Sequence, residues 1–187
     1  MNRKTTPLLL AVLVLMSLLA YFSERVRTQT SAHPQASTEG ATILSARTGD
    51  MTHIRVKRDY WNSFHLARSP EGVWKLVEPS NEPAAEPAVT RLLSTLESMP
   101  TLSVIKLPAD DTERHRQYGL WKPALEITIT TTEGDQVLLV GSATADGKGV
   151  YCALLGKDGV FVTSAEAIQV LSQDLSVYRQ EKNTAPP

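Results

Sequence analysis

Four histidines, His33, His53, His65 and His115, are the side chains of this 187-residue chain best suited to proton transfer or metal ligation. His53 and His65 fall on outward-facing positions of two strand patterns, where two imidazoles could meet and take up a metal ion. A catalytic zinc takes three protein ligands with supporting partners behind them. No third ligand stands at a recognisable spacing from any of the four, so no metal centre is predicted. The single cysteine, Cys152, lies inside a strand pattern, which excludes a disulfide framework and a Cys-based metal site and makes the thiol a small buried hydrophobe. Asp110, Asp111 and Glu113 cluster, but a helix cap accounts for them without a general acid and base. The run from Gly141 to Gly149, with Lys148 inside it, has the residue types of a phosphate-binding loop. Its spacing is one residue too long, Gly149 stands where a magnesium-binding Ser or Thr is needed, and a strand follows where a helix N-terminus should be. It reads as a hairpin loop. There is no Gly-x-Ser-x-Gly elbow for a serine nucleophile. The chain is therefore expected to be no enzyme and to carry no cofactor.

Composition agrees with a globular domain. A hydrophobic fraction of 42% and a formal net charge of −1, with Lys and Arg scattered, exclude a disordered acidic chain and give no basic stripe for nucleic acid. In His53 to Arg58 apolar and basic residues alternate, which predicts a half-buried strand with Ile54 and Val56 inward. Ser63 to Arg68 continues the pattern, the Ser69-Pro70-Glu71-Gly72 turn follows, and Val73 to Val77 completes a hairpin that stops at Pro79. A Pro- and Ala-rich stretch leads into a helix whose Val89, Leu92, Leu93, Leu96 and Met99 form one apolar stripe, too short for a coiled coil and suited to packing on a sheet. Pro87 fits its first turn and Pro100 ends it.

The second half begins after a short strand candidate in Thr101 to Leu107. Asp110 with Glu113 predicts a capping box on a polar turn. Tyr118-Gly119-Leu120-Trp121-Lys122-Pro123 then reads as a joint. Gly119 supplies the left-handed residue of a helix ending, Leu120 its apolar partner, and Pro123 a rigid entry into a strand. Tyr118, Gly119, Leu120, Trp121 and Pro123 are the candidate interaction or joint residues, and Tyr118 and Trp121 are expected to pin the two halves together. Leu125, Ile127 and Ile129 alternate with polar residues, and Val137 to Val140 predicts a central strand buried on both faces. Val150 to Leu155 and Val160 to Val162 are further strands. Thr163 with Glu166 predicts a capping box for a last helix, Ala165 to Leu175, carrying Ile168, Leu171 and Leu175 inward.

The predicted fold is α+β. It has mostly antiparallel sheet and two amphipathic helices, arranged as a pseudo-repeat of strands followed by a helix. One N-terminal transmembrane helix precedes it. Arg3 and Lys4 stand before an uncharged run, Pro7 to Phe22, that reaches ~24–27 Å as a helix, enough to span the ~30 Å hydrocarbon core with snorkelling flanks. The small-x-small cleavage candidates fail at Leu18 and Pro34, which favours an uncleaved anchor over 1–22, a signal peptide being the alternative. The short N-terminal tail favours N-in, which places the remainder outside the inner membrane, in the periplasm. Residues 23–41 form a flexible linker, 42–178 one domain, and 179–187 an unstructured tail.

This order of parts resembles a bacterial family known only as domain of unknown function 4340. The resemblance rests on Val73-Trp74-Lys75-Leu76-Val77-Glu78-Pro79, the Leu92-Leu93 pair, Tyr118 to Pro123, Val140-Gly141 and Val150-Tyr151, and covers about residues 42 to 175. It implies an envelope protein with no assigned activity, some relatives lying beside ABC-type export or gliding components, and it carries over no catalytic residue. The expected function is a membrane-tethered scaffold for a protein partner, with a small-ligand module beside Gly141 to Gly149 as the alternative and a hydrolase as the weakest reading. Tyr60, Trp61, Trp74, Tyr118 and Trp121 are the interface anchors if exposed, most of them being expected to pack inside. A meeting of His53, His65 and a carboxylate would count against pure scaffolding.

Overall fold

Ile54 and Val56 on one strand, and Leu125, Ile127 and Ile129 on another, are buried on the same side of two strands that pair at the middle of the fold. The structure, a computed structural model, describes residues 43–58 and 63–180. The predicted anchor 1–22, the linker 23–41 and residues 181–187 of the predicted tail lie outside the described residues.

A 3-10 turn over Thr48–Asp50 leads into β1, Met51–Lys57. The chain then runs through β2 (Ser63–Arg68), β3 (Trp74–Glu78) and a two-residue β4 (Glu82–Pro83) as an antiparallel meander. Helix α1, Glu86–Ser98, follows. After it come β5 (Ser103–Ile105), helix α2 (Thr112–Gln117) and a second meander of β6 (Leu125–Thr131), β7 (Gly134–Ala143), β8 (Gly149–Leu154) and β9 (Val160–Ser164). Helices α3, Ala165–Leu171, and α4, Leu175–Tyr178, end the described chain. All nine strands form one sheet in the order β4-β3-β2-β1-β6-β7-β8-β9-β5, and every pair in it is antiparallel.

Two four-stranded meanders, each followed by a helix, meet through their first strands, β1 and β6. β1 and β6 run antiparallel, and α1 and α3 pack together on the same face of the sheet. There α1 buries Val89, Leu92, Leu93 and Leu96, and Met99 just beyond it, against Leu66, Leu76, Ile127, Ile129 and Leu138. Each such side chain contributes about 1.5–3 kcal/mol of transfer free energy, far more than the uncapped α1 N-terminus at Ala85 forgoes.

Among the described residues four helices stand where two were expected. The polar turn forms α2, and the last helix breaks at Ser172, so Leu175 starts a separate helix. The cap of α3 is Ser164, whose side chain accepts a hydrogen bond from the Ala167 N–H, one residue after the predicted Thr163; Thr163 is a fully buried strand residue. Asp110 is not in capping-box contact with Glu113, which pairs with Arg116 at 3.2 Å; instead the Asp110 carbonyl accepts from the Thr112 N–H at 2.8 Å. β7 is central, but only Leu138 and Val140 are fully buried, while Val137 and Leu139 are half-buried because the second face of the sheet is only partly covered. Tyr178 is buried against Phe64, and Arg179 bridges Ala84, so the first tail residues are tied to the β4 edge.

Candidate functional site

Three places on the described chain carry features that could do work: the joint at Tyr118 to Pro123, a polar depression on the open face of the sheet, and a groove at the β4 edge.

The joint is a Schellman ending. The Gly119 N–H donates to the Arg116 carbonyl at 3.1 Å and the Leu120 N–H to the His115 carbonyl at 2.9 Å, with Gly119 at φ +75°. The reversal lays the joint against β7. The Ser142 N–H donates to the Tyr118 carbonyl at 2.9 Å, and a Cβ on Gly141 would stand 2.2 Å from that carbonyl oxygen. Leu120 is buried with Leu107, Ala153 and Val160 in a small second core under the open face, where Tyr118 packs on Tyr151 with ring centroids 4.8 Å apart. Trp121 is exposed, with the Arg116 guanidinium 5.3 Å from its ring centroid. Pro123 is half-buried just ahead of β6. The joint therefore fastens α2 to the second meander and does not pin the two halves together as predicted, since its contacts lie on β7, β8 and β9.

On the other half of that face, β1 and β2 pair so that Arg55 stands opposite His65 and His53 opposite Ala67. The two imidazoles meet diagonally, with His53 Nδ1 3.2 Å from His65 Nε2 and ring centroids 5.3 Å apart. They line a depression of about 240 Å³ together with Arg55, Thr128, Thr130 and Asp135. The Arg55 guanidinium pairs with Glu78 at 3.7 Å, and Lys57 with Glu126 at 3.9 Å. Burial lowers the pKa of His65 below its ordinary value. Arg55 and then His53 push it the same way, and Glu78 opposes them. His53, His65 and the Asp135 carboxylate thus line one depression. Among the described residues, however, no group of three or more His, Cys, Asp or Glu side chains stands as a metal-holding cluster. His115 is far from this pair along the chain, with its carbonyl engaged by the joint. His33 lies outside the described residues, as do Tyr60 and Trp61.

A depression of about 740 Å³ runs along the β4 edge between the β2–β3 turn, the start of α1 and α4. Its walls include Trp74, Pro83, Val89 and Leu93, with Val73 and Val177 standing 54% and 44% exposed at its side. Glu71, Glu86 and Arg179 supply charge around it. Sequence reading missed this groove. The only local sign was the Val73-Trp74 pair, and its other wall comes from residues about a hundred positions further on.

The remaining candidates have local explanations. Cys152 is fully buried in β8, and burial pushes its thiol up to about 12. The loop after β7 closes on itself: the Thr144 N–H donates to the Gly149 carbonyl at 2.8 Å, and Asp146 accepts from the Thr144 hydroxyl at 2.6 Å and the Lys148 N–H at 3.1 Å. Those bonds lower the Asp146 carboxyl below its ordinary range and leave the turn a plain hairpin.

The fold and these sites together define an α+β domain: one antiparallel sheet with α1 and α3 on one face, and a second face covered only in part, by α2 and the joint. A family model described as domain of unknown function (DUF4340) matches residues 74–183, more than half of the chain, and the chain belongs to that family. The match opens at Trp74, the first residue of β3, so β1 and β2 with His53 and His65 lie before it, and it is narrower at its start than the expected 42 to 175. No curated protein and no solved structure matches the chain. Among the described residues no helix is long and apolar enough to cross a membrane.

Proposed function

We propose that this chain is a non-enzymatic envelope domain, tethered to the inner membrane through residues 1–22 with its folded part in the periplasm, and that it works by binding a protein partner. The observation that carries the reading is the groove at the β4 edge. Val73 and Val177 are exposed beside an apolar wall of Trp74, Pro83, Val89 and Leu93, and a half-buried Trp next to aliphatic side chains is the composition of a protein-binding anchor pocket. The edge also blunts simple strand addition: Pro83 has no N–H to offer, and Glu82 is held by Arg179 at 3.2 Å. Side-chain insertion into the groove is the mode that remains. An ABC-type export assembly is the partner class we favour, on the family resemblance. The small-ligand reading lacks comparable support, because the Gly141 to Gly149 hairpin satisfies its polar groups within itself.

The test is crosslinking of the membrane-embedded chain and identification of what is joined to it, with the Val73→Glu and Val177→Glu variants in parallel. A partner crosslinked to the unmodified chain and lost from both variants supports the reading. Recovery of the chain only as a free monomer, or a partner that both variants keep, overturns it.

A further inference from the structure

The β1–β2 register brings His53 and His65 together on an exposed face and points one ring nitrogen of each at the other across 3.2 Å. At that distance one nitrogen can donate a proton to the other. Each neutral imidazole can carry its proton on its remote nitrogen instead, which leaves both facing lone pairs for a cation. With metal–nitrogen bonds of about 2.0–2.1 Å, nitrogens 3.2 Å apart subtend about 100–106° at a shared ion, close to the tetrahedral angle. Each ring turns by about 40° to swing its lone pair from the neighbouring nitrogen to the shared ion, a rotation open to the broad χ2 torsion of His.

The surroundings suit a divalent ion better than an anion. Arg55 is the one cation among the residues lining the depression, and its charge is engaged by Glu78. Asp135 lines the same depression and forms no ion pair among the described residues. Asp135 thus leaves one carboxylate of the depression without a paired cation among those residues. Thr128 and Thr130 add hydroxyls that can hold metal-bound water. The rest of the depression is open to solvent, so two positions stay available to water or to a further donor.

We propose that His53 and His65 form a surface site for a divalent transition-metal ion of the zinc class, with His53 Nδ1 and His65 Nε2 as the two protein ligands. The site lies on the opposite face from α1 and before the family match begins, so it does not depend on the partner-binding groove. Both ligands stand on β1 and β2.

Zinc ion is titrated calorimetrically into the untagged full-length chain in detergent micelles, with the imidazole nitrogens followed by 15N NMR. The expected result is one bound Zn2+ per chain, with the His53 and His65 ring resonances perturbed together and restored by a chelator. His53→Gln and His65→Gln should each weaken binding about tenfold or more, equivalent to about 1.4 kcal/mol, while His115→Gln leaves it unchanged. Two results overturn the proposal: no binding up to about 1 mM Zn2+, or full binding by the chain carrying both substitutions. Because the NMR readout uses the unmodified chain, it decides the matter even if a variant misfolds.

Discussion

Replacing Gly119 or Gly141 with alanine tests the contact that seats the joint on β7. At Gly119 the backbone is left-handed, φ +75°, which costs an L-residue roughly 1–2 kcal/mol. The new Cβ would also stand 2.9 Å from the Ser142 backbone nitrogen and 2.4 Å from its hydroxyl. The hydroxyl can rotate away but the nitrogen cannot, and overpacking of this kind costs roughly 1–3 kcal/mol. The sum for Gly119→Ala is about 2–5 kcal/mol. Gly141 has no left-handed strain, but its Cβ would lie 2.2 Å from the Tyr118 carbonyl oxygen, so backbone must separate from backbone. Overpacking plus the loss of the Ser142 to Tyr118 hydrogen bond, about 1 kcal/mol net, gives about 2–4 kcal/mol for Gly141→Ala. Urea unfolding followed by tryptophan fluorescence measures both. Gly49→Ala is the reference, since nothing lies within 4 Å of its Cβ position, and it should be neutral. The double variant should cost less than the sum, because lifting the joint relieves both clashes at once. If Gly119→Ala and Gly141→Ala each cost under about 0.5 kcal/mol, the close approach is not what holds the joint and the reasoning fails.

Three further outcomes are expected. Cys152, with its thiol raised to about 12 by burial, should ignore a disulfide reagent at pH 8 until denaturant is added; prompt labelling of the folded chain would contradict its burial. Burial raises Tyr178 from 10.0 to about 12, a value that Arg58 partly opposes. The folded state therefore keeps this proton where the unfolded chain loses it, so stability is fully present below pH 10 and falls as pH rises toward 12. Urea midpoints across that range should fall less steeply in Tyr178→Phe. Ser164→Ala should cost about 1 kcal/mol through the lost cap of α3. Thr163→Val should be near neutral or stabilising, because the Thr163 hydroxyl is buried with no partner among the described residues; thermal melts of the two variants order them.

Much of the fold was legible because it follows from local pattern. Period-two alternation marked β1, β2 and β6, and the stripe from Val89 to Met99 marked α1. The Schellman ending could be read from Gly119 and Leu120 alone, since its two hydrogen bonds join residues three and five apart. The errors fall where a local signal was ambiguous by one residue or where the partner is distant. Thr163 and Ser164 are equally good caps in isolation, and β9 extends through Thr163 because Val150 pairs with it. Val137 to Val140 reads as buried on both faces, but whether its second face is covered depends on how far α2 and the joint reach. The two-residue β4 and the tie between Arg179 and Ala84 carry no pattern of their own and exist because β3 and the chain end pass nearby.

By itself the sequence determined the antiparallel α+β class, the inward face of each long strand, the main helix and the family. These depend on side-chain periodicity and on turn residues, which act within a few positions of themselves. Only the tertiary structure decided where chemistry can occur. His53 and His65 are twelve residues apart and face outward in either reading; the pairing of Ile54 with Leu66 makes them neighbours, and a one-residue slip would turn His65 to the other side of the sheet. The groove is likewise a product of packing, since Val73 and Val177 share one surface only because α4 folds back beside the β4 edge.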